Sequence, residues 1–265
     1  MKMKKRTMVN PKWCLVLLAA WLAWPADAAY VIMNDGRRID GTAIRARADG
    51  TVILTMERGT QEFPRGQYRE AWAARPPQLD EARRHMQREE WDRVISSLDG
   101  VVQRYRHLSW DVEALALIAR AKNAQGEYDD ALASFDQLFR IAPQRREDSS
   151  IRWPYYAALL GAGQHSRLET QLNELISDGS RDDAARAQVM RGDLNRSRGR
   201  TQEGLLDYLR TVVLFRAQSE VQAEALFKAG LALEEMRDQR ARDMFRRVVE
   251  EHGRSPFAQQ ARAKL

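Results

Sequence analysis

The chain has 265 residues, 44% apolar and 30% charged, which is enough for one or two ordinary domains with a substantial core. Its formal net charge of +6 comes largely from the leader, where Lys2, Lys4, Lys5, Arg6 and Lys12 stand against Asp27 alone, so the rest is close to balanced. That balance argues against a strongly basic nucleic-acid binder, and a single cysteine, Cys14, excludes an internal disulfide framework.

The leader reads as a secretory signal peptide. A basic start is followed by the apolar run from Cys14 to Trp24, then by Pro25 and the small-residue pattern Ala26-Asp27-Ala28. The apolar run is short for crossing a bilayer, so residues 1–28 are expected to be removed near Ala28/Ala29. An uncleaved amphipathic anchor is the alternative. Cys14 precedes the apolar core, which argues against a lipid-modified start. The expected location is periplasmic or secreted, with no transmembrane segment once the leader is gone.

Residues 29–73 carry the pattern of short strands. Asn34-Asp35-Gly36, Asp49-Gly50 and Arg58-Gly59 are turn signals between runs containing Ile39, Ile44, Val52, Ile53 and Leu54. Four or five strands in so short a stretch predict a small closed or nearly closed barrel. The run from Asn34 to Met56, with Gly36, Gly41 and Gly50 at its bends, resembles the glycine-punctuated strands of Sm-like and SH3-like barrels. The strands show no aromatic stacking set, and no nucleic acid is expected as a partner. Pro76-Pro77, within residues 74–78, marks a stiff linker.

Residues 79–265 are expected to be helical. From Glu113 to Pro143 two patterns of three-four spacing are separated at Gln125-Gly126. Ala119, Gly126, Tyr128, Ala131, Phe135 and Pro143 stand in the order and at the intervals of a tetratricopeptide repeat, which this stretch resembles. Small or apolar residues recur at Val94, Ala131, Leu168, Gly204 and Ala241, at intervals of 37, 37, 36 and 37 residues. Four residues after each stand Leu98, Phe135, Leu172, Tyr208 and Phe245. About five units are therefore expected, with Glu90-Trp91 replacing the turn Gly-Tyr pair in the first and Met236 the turn glycine in the fifth. Ser255-Pro256 predicts a final short capping helix. The fold expected is mainly α, a tetratricopeptide-type α-solenoid behind a small β-barrel-like domain.

The tail from Leu226 to Leu265 is similar to the closing repeat of bacterial envelope proteins, notably the periplasmic partner of the Tol-Pal machinery and the lipoprotein of the outer-membrane β-barrel assembly complex. Lys228-Ala229-Gly230, Ala241, Phe245, Val248 and Ser255-Pro256-Phe257-Ala258 carry that likeness.

No enzyme motif stands out. His85, His107, His165 and His252 form no spaced pair, Gly161-Ala162-Gly163 lacks the context of a phosphate loop, and the paired acids suit helix starts or polar faces. No cofactor or metal is expected. Trp91, Trp110 and Trp153 are expected as apolar anchors between repeats.

The repeat resemblance implies an inner surface, lined by the first helix of each pair, that receives a peptide. Carried over place by place, that surface includes Glu113, Arg120, Asn123, Trp153, Arg186, Asp193 and Arg196. Such a mixture suits a carboxylate or main-chain groups, and a merely solvated face is the alternative. The function expected is an exported adaptor for protein-protein interactions in a bacterial periplasm or envelope. The alternative is an accessory module of a cell-wall or secretion machine whose β domain binds peptidoglycan or polysaccharide.

Overall fold

A computed structural model describes residues 29–265; the leader, with its expected cleavage and Cys14, lies outside the described residues. The chain forms two compact units. The first holds the described residues through Pro76 together with Tyr105–Trp110, and the second holds Pro77–Arg104 and Asp111–Leu265.

The first unit contains β1 (Ala29–Met33), β2 (Arg38–Gly41), β3 (Ala43–Ala46), β4 (Val52–Met56), β5 (Gly59–Phe63) and β6 (Tyr68–Trp72). These make two three-stranded antiparallel sheets, ordered β2-β1-β6 and β3-β4-β5, where a closed or nearly closed barrel was expected. The reason lies in the connections. β2 passes to β3 through Gly41-Thr42, and Pro64 to Gln67 turns the chain from β5 back to the other sheet, so neither link builds a ladder between the sheets. The sheets share a core of Val31, Val52, Leu54, Phe63, Ala71 and Leu108.

Leu108 brings the Tyr105–Trp110 segment into that unit. Ser109 Oγ donates to the Ala71 carbonyl at 2.9 Å, and Trp110 Nε1 donates to the Ala73 carbonyl at 2.8 Å. Trp110 is thus an anchor of the β unit and not of a repeat. The strands do carry an aromatic set, contrary to expectation. Tyr30 and Trp72 stack at 6.2 Å, and Trp72 meets Trp110 edge-on at 5.0 Å. Arg38 covers the Tyr30 ring at 3.7 Å and Arg75 lies 5.0 Å from that of Trp110, so these rings are engaged within the unit.

The second unit is a series of antiparallel helix pairs. These are α1 (Pro77–Gln87) with α2 (Trp91–Arg104), α3 (Trp110–Gln125) with α4 (Tyr128–Ile141), and α5 (Ser149–Gly161) with α6 (His165–Asp178). Then come α7 (Arg181–Ser197) with α8 (Thr201–Leu214), α9 (Ser219–Glu235) with α10 (Ala241–Glu251), and the short α11 (Pro256–Arg262). Pro143 follows the end of α4 and opens a single 3-10 turn, Pro143–Glu147, in keeping with its missing N–H.

The recurring places fall where helices meet. Val94, Ala131, Leu168 and Ala241 are buried on the second helices, and Leu98, Phe135, Leu172, Tyr208 and Phe245 are at most 1% exposed. Among the first helices α3, α7 and α9 are buried most widely; α9 buries Val221, Ala223, Ala225, Leu226, Phe227, Ala229, Gly230, Ala232 and Leu233. Each of these three lies between its own partner and a neighbouring pair, which is why its apolar stripe is wide and rich in small residues, whereas α1, which opens the series, buries only Leu79 and Ala82.

All five first-to-second-helix turns use one device. Gly126 N–H donates to the Asn123 carbonyl and Glu127 N–H to the Lys122 carbonyl, the paired bonds of a left-handed C-terminal cap. The same pair recurs at Glu89-Glu90, Gly163-Gln164, Gly199-Arg200 and Arg237-Asp238. The left-handed place is held by Gly126, Gly163 and Gly199, but by Glu89 at φ 57° and Arg237 at φ 58°. These correct the sequence reading by one residue in the first and fifth turns, since neither Glu90 nor Met236 occupies it. In the fifth turn Arg237 stands four residues before Ala241, whereas Gly126 stands five before Ala131.

Candidate functional site: a groove between α5, α7, α9 and the C-terminal segment

Within the second unit a groove of 960 Å³ opens between Trp153 of α5, one side of α7, the first half of α9 and the segment from Glu251 to Phe257. A smaller hollow of 530 Å³ shares Trp153, Arg186, Ser219, Glu220 and Val221 with it. Trp153 is held edge-on by Tyr156 at 5.7 Å. Val189 and Val221 are buried, and with Met190 and Phe257 they give the groove an apolar wall.

Its floor is ionic. Asp193 on α7 accepts from Tyr208 Oη at 2.7 Å and from Lys228 Nζ at 2.6 Å. Glu224, one turn before Lys228 on α9, stands 2.6 Å from the same ammonium. Burial works against the charge of Lys228, but the carboxylates of Asp193 and Glu224 outweigh it and hold the pKa above the ordinary lysine value. Lys228 is therefore a fixed cation and no nucleophile at neutral pH. Tyr208 has its phenol pushed far up, first by burial and then by Asp193, so it remains a donor. Its ring also needs Gly192, because a Cβ there would stand 2.4 Å from Tyr208 Cε1.

Of the residues expected on the inner surface, the groove brings together Trp153, Arg186 and Asp193. The other four lie outside its lining. Glu113 Oε1 accepts from Arg83 at 2.7 Å, joining α3 to α1. Asn123 Nδ2 donates to the Pro154 carbonyl at 2.6 Å, joining α3 to α5. Arg196 pairs with Glu235 at 3.0 Å, which also accepts from Thr201 Oγ1 at 2.9 Å; Arg120 is exposed on α3. With Asp193, which joins α7 to α8 and α9, four of these seven side chains thus serve contacts between helices.

Sequence reasoning missed Val189, Met190, Val221, Glu224, Lys228 and the His252–Phe257 segment. Periodicity marks Val189 and Val221 only as apolar, and a last turn between helices gives no sign that it folds back over α9. Lys228 and Ser255-Pro256-Phe257 are in the tail that carries the envelope-protein likeness, but there they read as repeat landmarks and not as lining.

A second polar cluster is structural. Asp207 on α8 is 1% exposed and accepts from Gln188 at 2.6 Å, Arg191 at 2.8 Å, Asn195 at 2.8 Å and Arg210 at 2.9 Å. A carboxylate so fully used has no capacity left for a ligand. Among the described residues no group of His, Cys, Asp and Glu is placed to hold a metal ion, and no helix is long and apolar enough to cross a membrane.

Comparison with known proteins agrees with the helical architecture. No curated protein matches the sequence. Residues 41 to the end of MamA from Desulfovibrio magneticus RS-1 are 20% identical, with 67% of this chain and 95% of that chain covered and a TM-score of 0.48. A Podosopora anserina protein described as a kinesin light chain with nearly identical TPR-like repeats is 17% identical, with 68% and 96% covered and a TM-score of 0.52. At that identity the likeness shows the fold alone. Residues 224–255 match the family model described as tetratricopeptide repeat, and with the structural likeness this gives the second unit a tetratricopeptide-type solenoid fold.

Proposed function

We propose that this protein is an exported, non-enzymatic adaptor that holds a peptide segment of a partner protein in the groove between α5, α7, α9 and the C-terminal segment. The observation that carries this is the groove itself: an apolar wall of Val189, Met190, Val221 and Phe257 beside charged and polar groups. Such a surface binds apolar side chains and main-chain groups together. A repeat solenoid supplies that kind of surface because its first helices stack side by side. The basic start, apolar run and small-residue site of residues 1–28 support export, and the envelope-protein likeness of the tail supports a periplasmic or envelope setting.

A photoreactive amino acid placed at Met190 tests this in intact cells. The expected result is a discrete crosslinked envelope protein that disappears when Glu220→Trp, at an exposed position of the lining, fills the groove. Crosslinks that persist with the groove filled, or none at all, would overturn the reading. Cell fractionation of the full chain decides export separately, and retention of the unprocessed chain in the cytoplasm would defeat that part.

A further inference from the structure

The charges of the groove are unevenly matched. On its floor a single ammonium, Lys228 Nζ, stands 2.6 Å from each of two carboxylates, Asp193 and Glu224. These two side chains are only 22% and 34% exposed, so the one negative charge left over is incompletely screened by water. Glu220, one turn before Glu224 on α9, is exposed and forms no ion pair among the described residues. Four residues apart, Glu220 and Glu224 share one face of that helix, about 6 Å apart along its axis. The helix dipole accounts for Glu220 in the first turn but not for Glu224 in the second. Glu251 is matched by Arg247 at 2.7 Å, and in the adjoining hollow Asp183 lies 3.2 Å from Arg152, while Asp182 forms no ion pair among the described residues.

The cations are placed differently. Arg186 and Arg254 are exposed and form no ion pair among the described residues, so water and salt screen their charge and no bond holds either in place. Arg186 also stands seven residues before Asp193 on α7, about 10 Å along the axis. With histidine neutral, six carboxylates face three cations in the two linings together, within a chain whose formal charge is +6. The groove is thus acidic where the chain as a whole is not, and most strongly so where it is least wet.

We infer that the groove's occupant is a basic peptide: an extended segment with a Lys or Arg close to an aliphatic side chain. Its cation lies against Glu220 and Glu224, where it matches the charge that Lys228 leaves over, and its aliphatic group lies against Met190 and Phe257 of the apolar wall. This deepens the adaptor reading and rests on it. An acidic segment would add to the unmatched charge of the floor, and an uncharged one would bury it further from water without a partner.

The test uses the whole chain and three fluorescein-labelled peptides: Leu-Lys pairs in a Gly-Ser background, the same peptide with each Lys replaced by Asp, and the same with each Lys replaced by Ser. Fluorescence anisotropy at near-physiological salt is expected to show the Lys peptide binding at least about tenfold tighter than either control. Glu220→Lys, at an exposed position that leaves the circular dichroism unchanged, should weaken the Lys peptide by about tenfold, and Glu224→Gln by about threefold or more. Glu203→Gln, an exposed acid of α8 outside the lining, should change its affinity by less than about twofold. A loss at Glu203 equal to that at Glu220 would show attraction to the chain at large and overturn the assignment. Equal or tighter binding of the Asp or Ser peptide to the native chain would overturn the basic assignment and leave the groove reading intact. Failure of all three peptides, with the Met190 crosslink still formed in cells, would do the same; loss of both would overturn both.

Discussion

Lys228 Nζ lies 2.6 Å from Asp193 Oδ2 and thereby ties α9 to α7 across the floor of the groove. Both side chains are largely withdrawn from water, at 21% and 22% exposure, so the pair is worth more than a surface ion pair and harder to break from one side. Asp193→Ala leaves the ammonium to Glu224 and takes away the acceptor of the Tyr208 hydroxyl. A loss of about 1–3 kcal/mol is expected. Urea unfolding monitored by circular dichroism measures it, and an unchanged midpoint would show that Glu224 alone suffices.

The same cluster sets the response to alkali. Lys228 and Tyr208 both have folded-state pKa values above their ordinary 10.5 and 10.0, so above pH 10.0 the folded chain holds protons that the unfolded chain has given up. Their stabilisation is complete below the unfolded values and is lost as pH rises through the folded ones. Tyr156, pushed up to about 12 by burial, adds in the same direction. Denaturation midpoints should therefore fall as pH climbs beyond 10.0, and Tyr208→Phe should reduce the slope of that fall. A slope identical in the variant would remove Tyr208 from the account.

The shared helix cap permits a stabilising change. Glu89 and Arg237 hold the left-handed place that glycine holds in the other three turns. An L-residue is strained there, and glycine, despite its greater freedom when unfolded, relieves the strain. Glu89→Gly and Arg237→Gly should each gain about 0.5–1 kcal/mol, and Gly126→Ala should lose about 1 kcal/mol. Thermal unfolding of the three variants beside the native chain gives the signs directly.

Asp207 and Arg210 separate a buried partner from an exposed one. Asp207→Ala strands Arg191, Gln188 and Asn195 and should cost about 3–5 kcal/mol, whereas Arg210→Ala removes a half-exposed arm and should cost under about 1 kcal/mol. Urea titrations of both variants decide it; equal losses would refute the asymmetry.

The helical unit was legible because its constraint is local and repeated. A small side chain at Ala131 and a ring at Phe135 recur as Gly204 with Tyr208 and Ala241 with Phe245, since every pair must bury the same kind of stripe against its neighbours. The turn glycines at Gly126, Gly163 and Gly199 announce themselves for the same reason. Glu89 and Arg237 do not, because the cap is made by backbone bonds that leave no mark on the side chain.

Strand number and pairing were less legible. Turn signals locate the strands, but only the paths through Gly41-Thr42 and Pro64 to Gln67 decide whether two short sheets close into a barrel, and here they do not. Trp110 was expected, as a large apolar side chain, to anchor one repeat on another, yet its indole donates to Ala73 in the β unit.

The amino-acid sequence alone determined the beat of the helix pairs, the glycine turns within three of them and the strand-rich character of the stretch before them, because these follow from spacing, turn chemistry and side-chain size over a few residues. The tertiary structure alone decided which of the expected inner-face residues share a groove. Trp153, Arg186 and Asp193 meet there, while Glu113, Asn123 and Arg196 are taken up by partners about thirty to forty residues away. The physical reason is that a repeat pattern fixes which face of a helix a residue occupies, but which partner fills that face depends on how the next pairs, and the returning segment from His252 to Phe257, pack against it.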